Sequence, residues 1–183
     1  KKEIYNIPKK TLWEIKKIKI YSEKIEREDL LIFEKDKINL FYMVKNDELY
    51  ELLKNKIFKS KFFKKKVIGN NFSYEELLKK KYNLIVNCDS NNFLSKKFFT
   101  KKIYKDYDNI AYTTILKHKK IKNHVATQIF TKYGPVALLP ISNTETSIVC
   151  SVDTKNKKYN DNDILDLINK NNPKYQIKKI LKL

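Results

Sequence analysis

Glycine is almost missing from this chain: 183 residues contain two glycines, four prolines, two cysteines, one methionine and one tryptophan. With two glycines it cannot build a Gly-x-Gly-x-x-Gly turn, so a dinucleotide-binding strand–turn–helix of that kind is excluded. Cys88 and Cys150 lie in apolar, strand-like runs without CxxC spacing. That excludes a disulfide framework or cysteine zinc site and reads as core thiols in a reducing cytoplasm. His118 and His124 have no carboxylate or thiol at metal-ligand spacing, and are expected at the surface or a sheet edge. No apolar run reaches the roughly 18 residues of a membrane-crossing helix. The basic N-terminus is not followed by an apolar stretch, so no signal peptide is expected.

Arginine is the other shortage. The formal charge is +19, yet Arg27 is the single arginine and the rest of the positive charge is lysine. A strongly basic chain ordinarily suggests a nucleic acid or an anionic membrane as partner. Lysine, however, is a point charge without the guanidinium fork that reads phosphate and guanine. The other abundant types, Asn, Ile, Tyr and Phe, are those that A/T-rich codons encode, so nucleotide bias is the simpler source of the charge. Nucleic acid is therefore not the expected partner.

What is present stands out in Gln128-Ile129-Phe130-Thr131-Lys132-Tyr133-Gly134-Pro135-Val136-Ala137-Leu138-Leu139-Pro140-Ile141-Ser142. One of the two glycines and two of the four prolines cluster here. Gly134 permits a positive φ and Pro135 fixes the next one, which predicts a sharp turn. Val136 to Leu139 reads as a short buried strand that ends at Pro140.

Elsewhere, Ile18-Lys19-Ile20 alternates as a half-buried strand, and Leu30 to Phe33 is a second strand candidate beyond the charged turn 23–29. Leu40 to Val44 leads into a helix with Asn46 as N-cap and Asp47 and Glu48 in its first turn. Leu49, Leu52, Leu53 and Ile57 form that helix's apolar stripe, which is most simply core packing. Lys66 to Gly69 reads as a short strand. Tyr82 to Cys88 reads as a strand buried on both faces, as in a parallel sheet. Asp89-Ser90-Asn91-Asn92 follows where ligand sites often form, although from spacing alone an ordinary Asx turn is the better account. From Ile110 to Val152 four strands with hairpin-length connections predict an antiparallel meander. A helix over 161–169 closes it, and Tyr175-Gln176-Ile177 resembles a last strand.

This order, together with Gln128-x-Phe130, Gly134-Pro135-x-Ala137-x-Leu139-Pro140-x-Ser142 and Ser147-Ile148-Val149, resembles the middle part of the ubiquinone-biosynthesis hydroxylases. Those are FAD-dependent aromatic monooxygenases of the p-hydroxybenzoate hydroxylase type. Leu12 to Tyr21 resembles their first substrate-domain strand, and Val44 to Leu53 the helix after it. Leu84 to Asp89 occupies the place of their Asp-Gly fingerprint. Asp89 matches, while Ser90 stands where the glycine does, Phe93 where a serine does and Ser95 where an arginine does. Asp47 stands where an arginine near the flavin is usual. The opening Gly-x-Gly-x-x-Gly unit is absent, and Leu183 precedes the place of a later Gly-Asp motif.

The resemblance implies an α+β fold: a mainly antiparallel substrate-domain sheet with part of an FAD-binding α/β domain, lacking the N-terminal βαβ unit. Residues 1–46 would open the substrate sheet, 47–100 form a partial FAD domain, 101–158 the meander, and 159–183 the closing helix and return. It implies FAD- and NAD(P)H-dependent hydroxylation of a polyprenylated phenol, with FAD hardly retained by this part alone and no catalytic side chain required from it. Asp89 and Ser90 would approach the cofactor, while Gln128, Phe130, Leu138 and Pro140 would line the aromatic pocket. For the apolar members, sheet core is the alternative. The prenyl tail would bring the protein to the inner membrane, aided by lysines, and to a ubiquinone-biosynthesis complex.

A different class of reading is a small basic domain binding RNA or an anionic surface. Lys61-Phe62-Phe63-Lys64 and Lys96-Lys97-Phe98-Phe99 interleave rings and charge in its favour. Burial of those rings in the core, with the lysines solvating the rim, is the simpler expectation.

Overall fold

Alternation of large apolar residues with small or polar ones between Val125 and Val152 gives strands with two unlike faces. A computed structural model of the chain describes residues 7–23, 29–36, 38–67, 73–80, 82–99, 101, 103–155, 157–172 and 174–181. The chain divides into two compact units: Lys1–Ile57 with Tyr107–Leu183, and Phe58–Asp106.

In the first unit β1 (Trp13–Ile15) pairs antiparallel with β4 (Phe41–Met43). The remaining strands are β2 (Lys17–Ser22), β3 (Asp29–Glu34), β5 (Asn109–His118), β6 (Val125–Thr131), β7 (Gly134–Pro140), β8 (Glu145–Asp153) and β9 (Ile177–Ile180). They form one seven-stranded sheet in the order β3-β2-β6-β7-β8-β5-β9. All neighbours run antiparallel except β2 and β6, which are parallel. The fold is α+β, with a mixed and mostly antiparallel sheet.

One part of the expected meander needs correction. β6, β7 and β8 do follow one another as hairpins, but β5 pairs with β8 and β9, not with β6. Residues 119–124 therefore form no hairpin turn. They cross the ends of β7 and β8, held by Ile121 N–H to Asn143 O at 3.0 Å and by Asn123 Nδ2 to Ser142 O at 2.9 Å.

One sheet face is covered by α4 (Asp161–Lys170). Its first turn is fixed by reciprocal bonds. Asn160 Oδ1 accepts from Asp163 N–H at 3.0 Å, and Asp163 Oδ2 accepts from Asn160 N–H at 3.0 Å. Ile164, Leu167 and Ile168, one helical stripe, pack with Leu116, Ile129, Val136, Leu138, Ile148, Cys150 and Val152. Full burial of each such aliphatic side chain stabilises the fold by about 1.5–3 kcal/mol. Glu23 adds a clasp: Lys170 Nζ lies 2.7 Å from Oε1, and Lys132 N–H donates to Oε2 at 3.1 Å.

Several local expectations fail among the described residues. α1 (Asn46–Phe58) begins at Asn46 itself, and none of its residues is buried. Its stripe is consequently not core: Leu53 is 38% and Ile57 44% exposed. In the second unit Lys66 and Val67 are not in a strand, while Ile68 and Gly69 lie outside the described residues. Nor do residues 82–88 join a sheet. Among the described residues there, the regular elements are two short helices, α2 (Tyr74–Lys79) and α3 (Phe93–Phe98).

Two outcomes follow from these contacts. Gly134 has φ +136°, and a Cβ there would overlap the Ser151 carbonyl oxygen. Gly134→Ala is expected to lower unfolding free energy by at least about 2 kcal/mol, read as a lower denaturant midpoint at unchanged m. Lys45 Nζ, just before α1, lies 2.7 Å from Glu145 Oε2 on β8. That bond lowers the Glu145 pKa and raises that of Lys45. The stabilisation is thus present above the ordinary Glu value of 4.5 and lost as pH falls through the folded value. On the basic side it is present below the ordinary Lys value of 10.5 and lost as pH rises through the folded value. A Lys45→Met/Glu145→Gln double-mutant cycle should give a coupling of about 0.5–1 kcal/mol at neutral pH. The coupling should vanish in acid; one that persists there would contradict the ion pair.

Candidate functional site

Register assigns each candidate on β6 and β7 to a face. Thr127 lies opposite Leu138 and Ile129 opposite Val136, whereas Gln128 lies opposite Ala137 and Phe130 opposite Pro135. Leu138 is 1% exposed and sits in the cluster under α4, and Pro140, two residues on, is fully buried. Gln128 and Phe130 belong to the other face. There Phe130 is 46% exposed, and Gln128, Ala137, Leu139 and Val149 are half-buried. The four residues expected to line one pocket are therefore split by the sheet into two pairs. Leu138 packs in the cluster under α4 and Pro140 is buried on the same sheet face, because strand periodicity of two turns them away from Gln128 and Phe130.

On the half-buried face Ile20 of β2 lies beside Gln128, and Val149 of β8 beside Ala137. The Gln128 carboxamide thus stands in a row whose other members are aliphatic, Ile20-Gln128-Ala137-Val149-Thr113 apart from the terminal threonine. Such a surface can hold a ring on its apolar part and give one donor and one acceptor to a hydroxyl.

Asp89 and Ser90 belong to the second unit. Asp89 Oδ1 accepts from Asn91 N–H at 2.8 Å, an Asx turn. Asn87 Nδ2 bridges to Asp89 O at 3.1 Å and Ser95 Oγ at 2.7 Å, and Asn92 Oδ1 caps α3 through Ser95 N–H at 3.0 Å. The turn satisfies itself with side chains. Ser90, in the place of glycine, denies the bare backbone that a pyrophosphate would need. These residues do not fit an FAD phosphate cradle.

A buried polar chain escaped the sequence reading. His118 is 2% exposed, so it is not the surface histidine expected. His118 Nδ1 faces the Lys119 carbonyl at 2.8 Å and so carries the proton, leaving Nε2 to accept from Thr146 Oγ1 at 3.0 Å. Asn123 Nδ2 donates to Thr146 Oγ1 at 2.9 Å, and Tyr175 OH donates to Asn123 Oδ1 at 3.0 Å. Desolvation raises the Tyr175 pKa. His124 stacks on Trp13 at 4.9 Å. No single local motif announces this chain, since its members lie on separate elements. Every polar atom in it is engaged, so it is structural in character. Among the described residues no group of three or more His, Cys, Asp or Glu side chains could hold a metal ion. Nor is any helix among them long and apolar enough to cross a membrane.

No family model matches the chain, and no curated protein matches it either.

The cysteines differ, contrary to their common expectation as core thiols. Cys88 is exposed because its run joins no sheet, while Cys150 is buried and its thiol is pushed up to about 11 by desolvation. A thiol reagent at neutral pH should label Cys88 at once and Cys150 at least about a hundredfold more slowly, read by peptide mass spectrometry. Equal rates would show that Cys150 is not in the core.

Proposed function

We propose that the first unit supplies the substrate-side wall of a flavin-dependent aromatic hydroxylase acting on a polyprenylated phenol in ubiquinone biosynthesis. The observation that supports this reading is the half-buried sheet face on which Gln128 and Phe130 stand among aliphatic neighbours. The Gln128-to-Ser142 signature carries the family resemblance, and this face is the part of it that packing leaves available. FAD with NAD(P)H would supply the oxygen-transfer chemistry, but the Asp89 turn does not cradle the pyrophosphate, and no step is assigned through it. The work of these residues is to bind and orient. Phe130 offers a ring edge or face to the phenol. Gln128 bonds its hydroxyl, and Ala137 leaves room beside that carboxamide. A prenyl tail would account for peripheral membrane attachment, with lysines assisting.

The test uses the protein expressed from its own gene, assayed with FAD, NAD(P)H and a polyprenylated phenol. Phe130→Ala should lower kcat/KM about tenfold, a loss of about 1.4 kcal/mol, with little change in melting because the ring is half-exposed. Absence of phenol hydroxylation by the unaltered protein would sink the reading.

One observation favours the alternative of a basic domain for RNA or an anionic surface. The rings expected in the core are not there: Phe62 is 86%, Phe98 58% and Phe99 63% exposed. Lys61 lies 5.2 Å from the Phe62 ring, and Lys97 5.9 Å from that of Phe98. Affinity for a random-sequence oligonucleotide that is tight at low salt and falls steeply with salt would support it. Negligible binding at low salt removes it.

A further inference from the structure

Like charges face one another at one corner of the first unit. Lys117 of β5 lies directly opposite Lys179 of β9, an arrangement that weakens a strand pair. Glu145, on the other side of Lys117, is 3.7 Å from its Nζ but holds Lys45 more closely, at 2.7 Å. Lys119, Lys120 and Lys122 of the crossing and Lys178 of β9 are exposed as well. Among the described residues none of these four, nor Lys179, has a carboxylate partner. Elsewhere in the unit the fold does pair lysines: Lys17 with Glu34 at 2.7 Å, Lys157 with Asp163 at 2.9 Å, and Lys170 with Glu23 at 2.7 Å. Lysine guards an edge strand against further pairing, which accounts for Lys178 and Lys179. It does not account for Lys117, on an interior strand, or for the crossing.

The same crossing borders the chain's one tryptophan. Trp13 Nε1 donates to Asn123 O at 2.7 Å, and the indole stacks on His124 with centroids 4.9 Å apart and planes 7° from parallel. Its N–H and one face are thereby fixed, yet the residue is only half-buried. It lines a cleft of about 230 Å³ in which Lys10 and Lys45 stand against one carboxylate, Glu48. We propose that this corner binds single-stranded nucleic acid, with the lysines along its phosphates and the Trp13 ring stacked on a base. A ring beside a basic track is suited to a strand whose bases are unstacked. A duplex keeps its bases away from such a ring. Lysine is a point charge that reads no base, so the binding is without sequence preference. What singles out this corner is the placement of its lysines beside a ring, since lysine is abundant throughout the chain. The site uses neither Gln128 nor the Phe62 and Phe98 pairs, and it stands whether or not the hydroxylase reading does.

Because there is one tryptophan, its fluorescence reports this site alone. The test is a titration of the whole 183-residue chain with labelled oligothymidylate, which forms no duplex, read by Trp13 emission and by anisotropy of the label. Trp13 emission should be quenched as the oligonucleotide binds. Affinity should fall about 50-fold between 50 and 200 mM salt, as four neutralised phosphates require. Lys117→Gln/Lys179→Gln should weaken binding at least about tenfold at low salt and lower the slope of log affinity against log salt by about 1.4. Its melting should be unchanged or raised, because a like-charge pair is removed. Absence of quenching at 50 mM salt would overturn the proposal, as would binding seen by anisotropy without quenching. Equal quenching by a duplex, or by anionic vesicles at the same phosphate concentration, would overturn it as well. So would quenching that Lys61→Gln/Lys97→Gln abolishes and Lys117→Gln/Lys179→Gln leaves intact.

Discussion

The first unit depends on a crossing fixed by one buried asparagine. β5 and β6 are consecutive in sequence yet lie on opposite sides of the β7–β8 pair, so residues 119–124 must pass across the ends of those strands. A backbone that crosses a sheet end is taken from water and needs other partners. Asn123, fully buried, provides them: its side chain bonds Ser142 O and Thr146 Oγ1, and its carbonyl accepts from Trp13 Nε1 at 2.7 Å. One asparagine thereby joins β1, the β7–β8 turn and, through Tyr175, the chain leading to β9. Replacement by an apolar residue of the same size would leave Thr146, Tyr175 and Ser142 short of partners in a dry site. The cost of such orphaned groups exceeds the net worth of the bonds themselves.

That crossing also settles which parts were legible in the sequence. Strands β2, β3 and β5 to β8 are carried by local alternation and β-branched residues, and the sequence places each within a few positions. Helix α4 is likewise legible, because its stripe and Asp163 are local signals. Strand order is not local. Short loops suggest hairpins, and nothing in Lys117 to Asn123 reveals that His118 and Asn123 will be buried among exposed lysines. His118 illustrates the difficulty: set between Lys117 and Lys119-Lys120 it reads as a surface or sheet-edge residue, and only the partners brought by β8 and Tyr175 permit its burial.

Two segments misled for the opposite reason. Leu84 to Cys88 in the second unit and the α1 stripe in the first carry sound local signals for buried elements, yet Leu84, Ile85, Val86, Leu53 and Ile57 remain exposed. Periodicity reports what a segment would bury given a partner surface, not whether that surface lies in the same 183 residues. The Phe-Phe pairs fail in the same way. Their rings are exposed where core was expected, because a Phe-Phe pair between lysines signals burial only when a surface meets it.

The signature from Gln128 to Ser142 separates into two kinds of residue once packing is known. Gly134 is required by its φ and by the Ser151 carbonyl against it; Leu138 packs in the cluster under α4 and Pro140 is buried on the same sheet face. Pro135 and Pro140 stand near the two ends of β7, where a missing N–H is tolerated. All four are accounted for by folding alone, so their presence carries no argument for a reaction. Gln128 and Phe130 have no such account. A half-buried carboxamide among aliphatic side chains gains little from packing there, and a phenyl ring left half in water forgoes part of the burial open to it. Residues that a fold does not need, placed together on its open face, are where a binding role has to be sought.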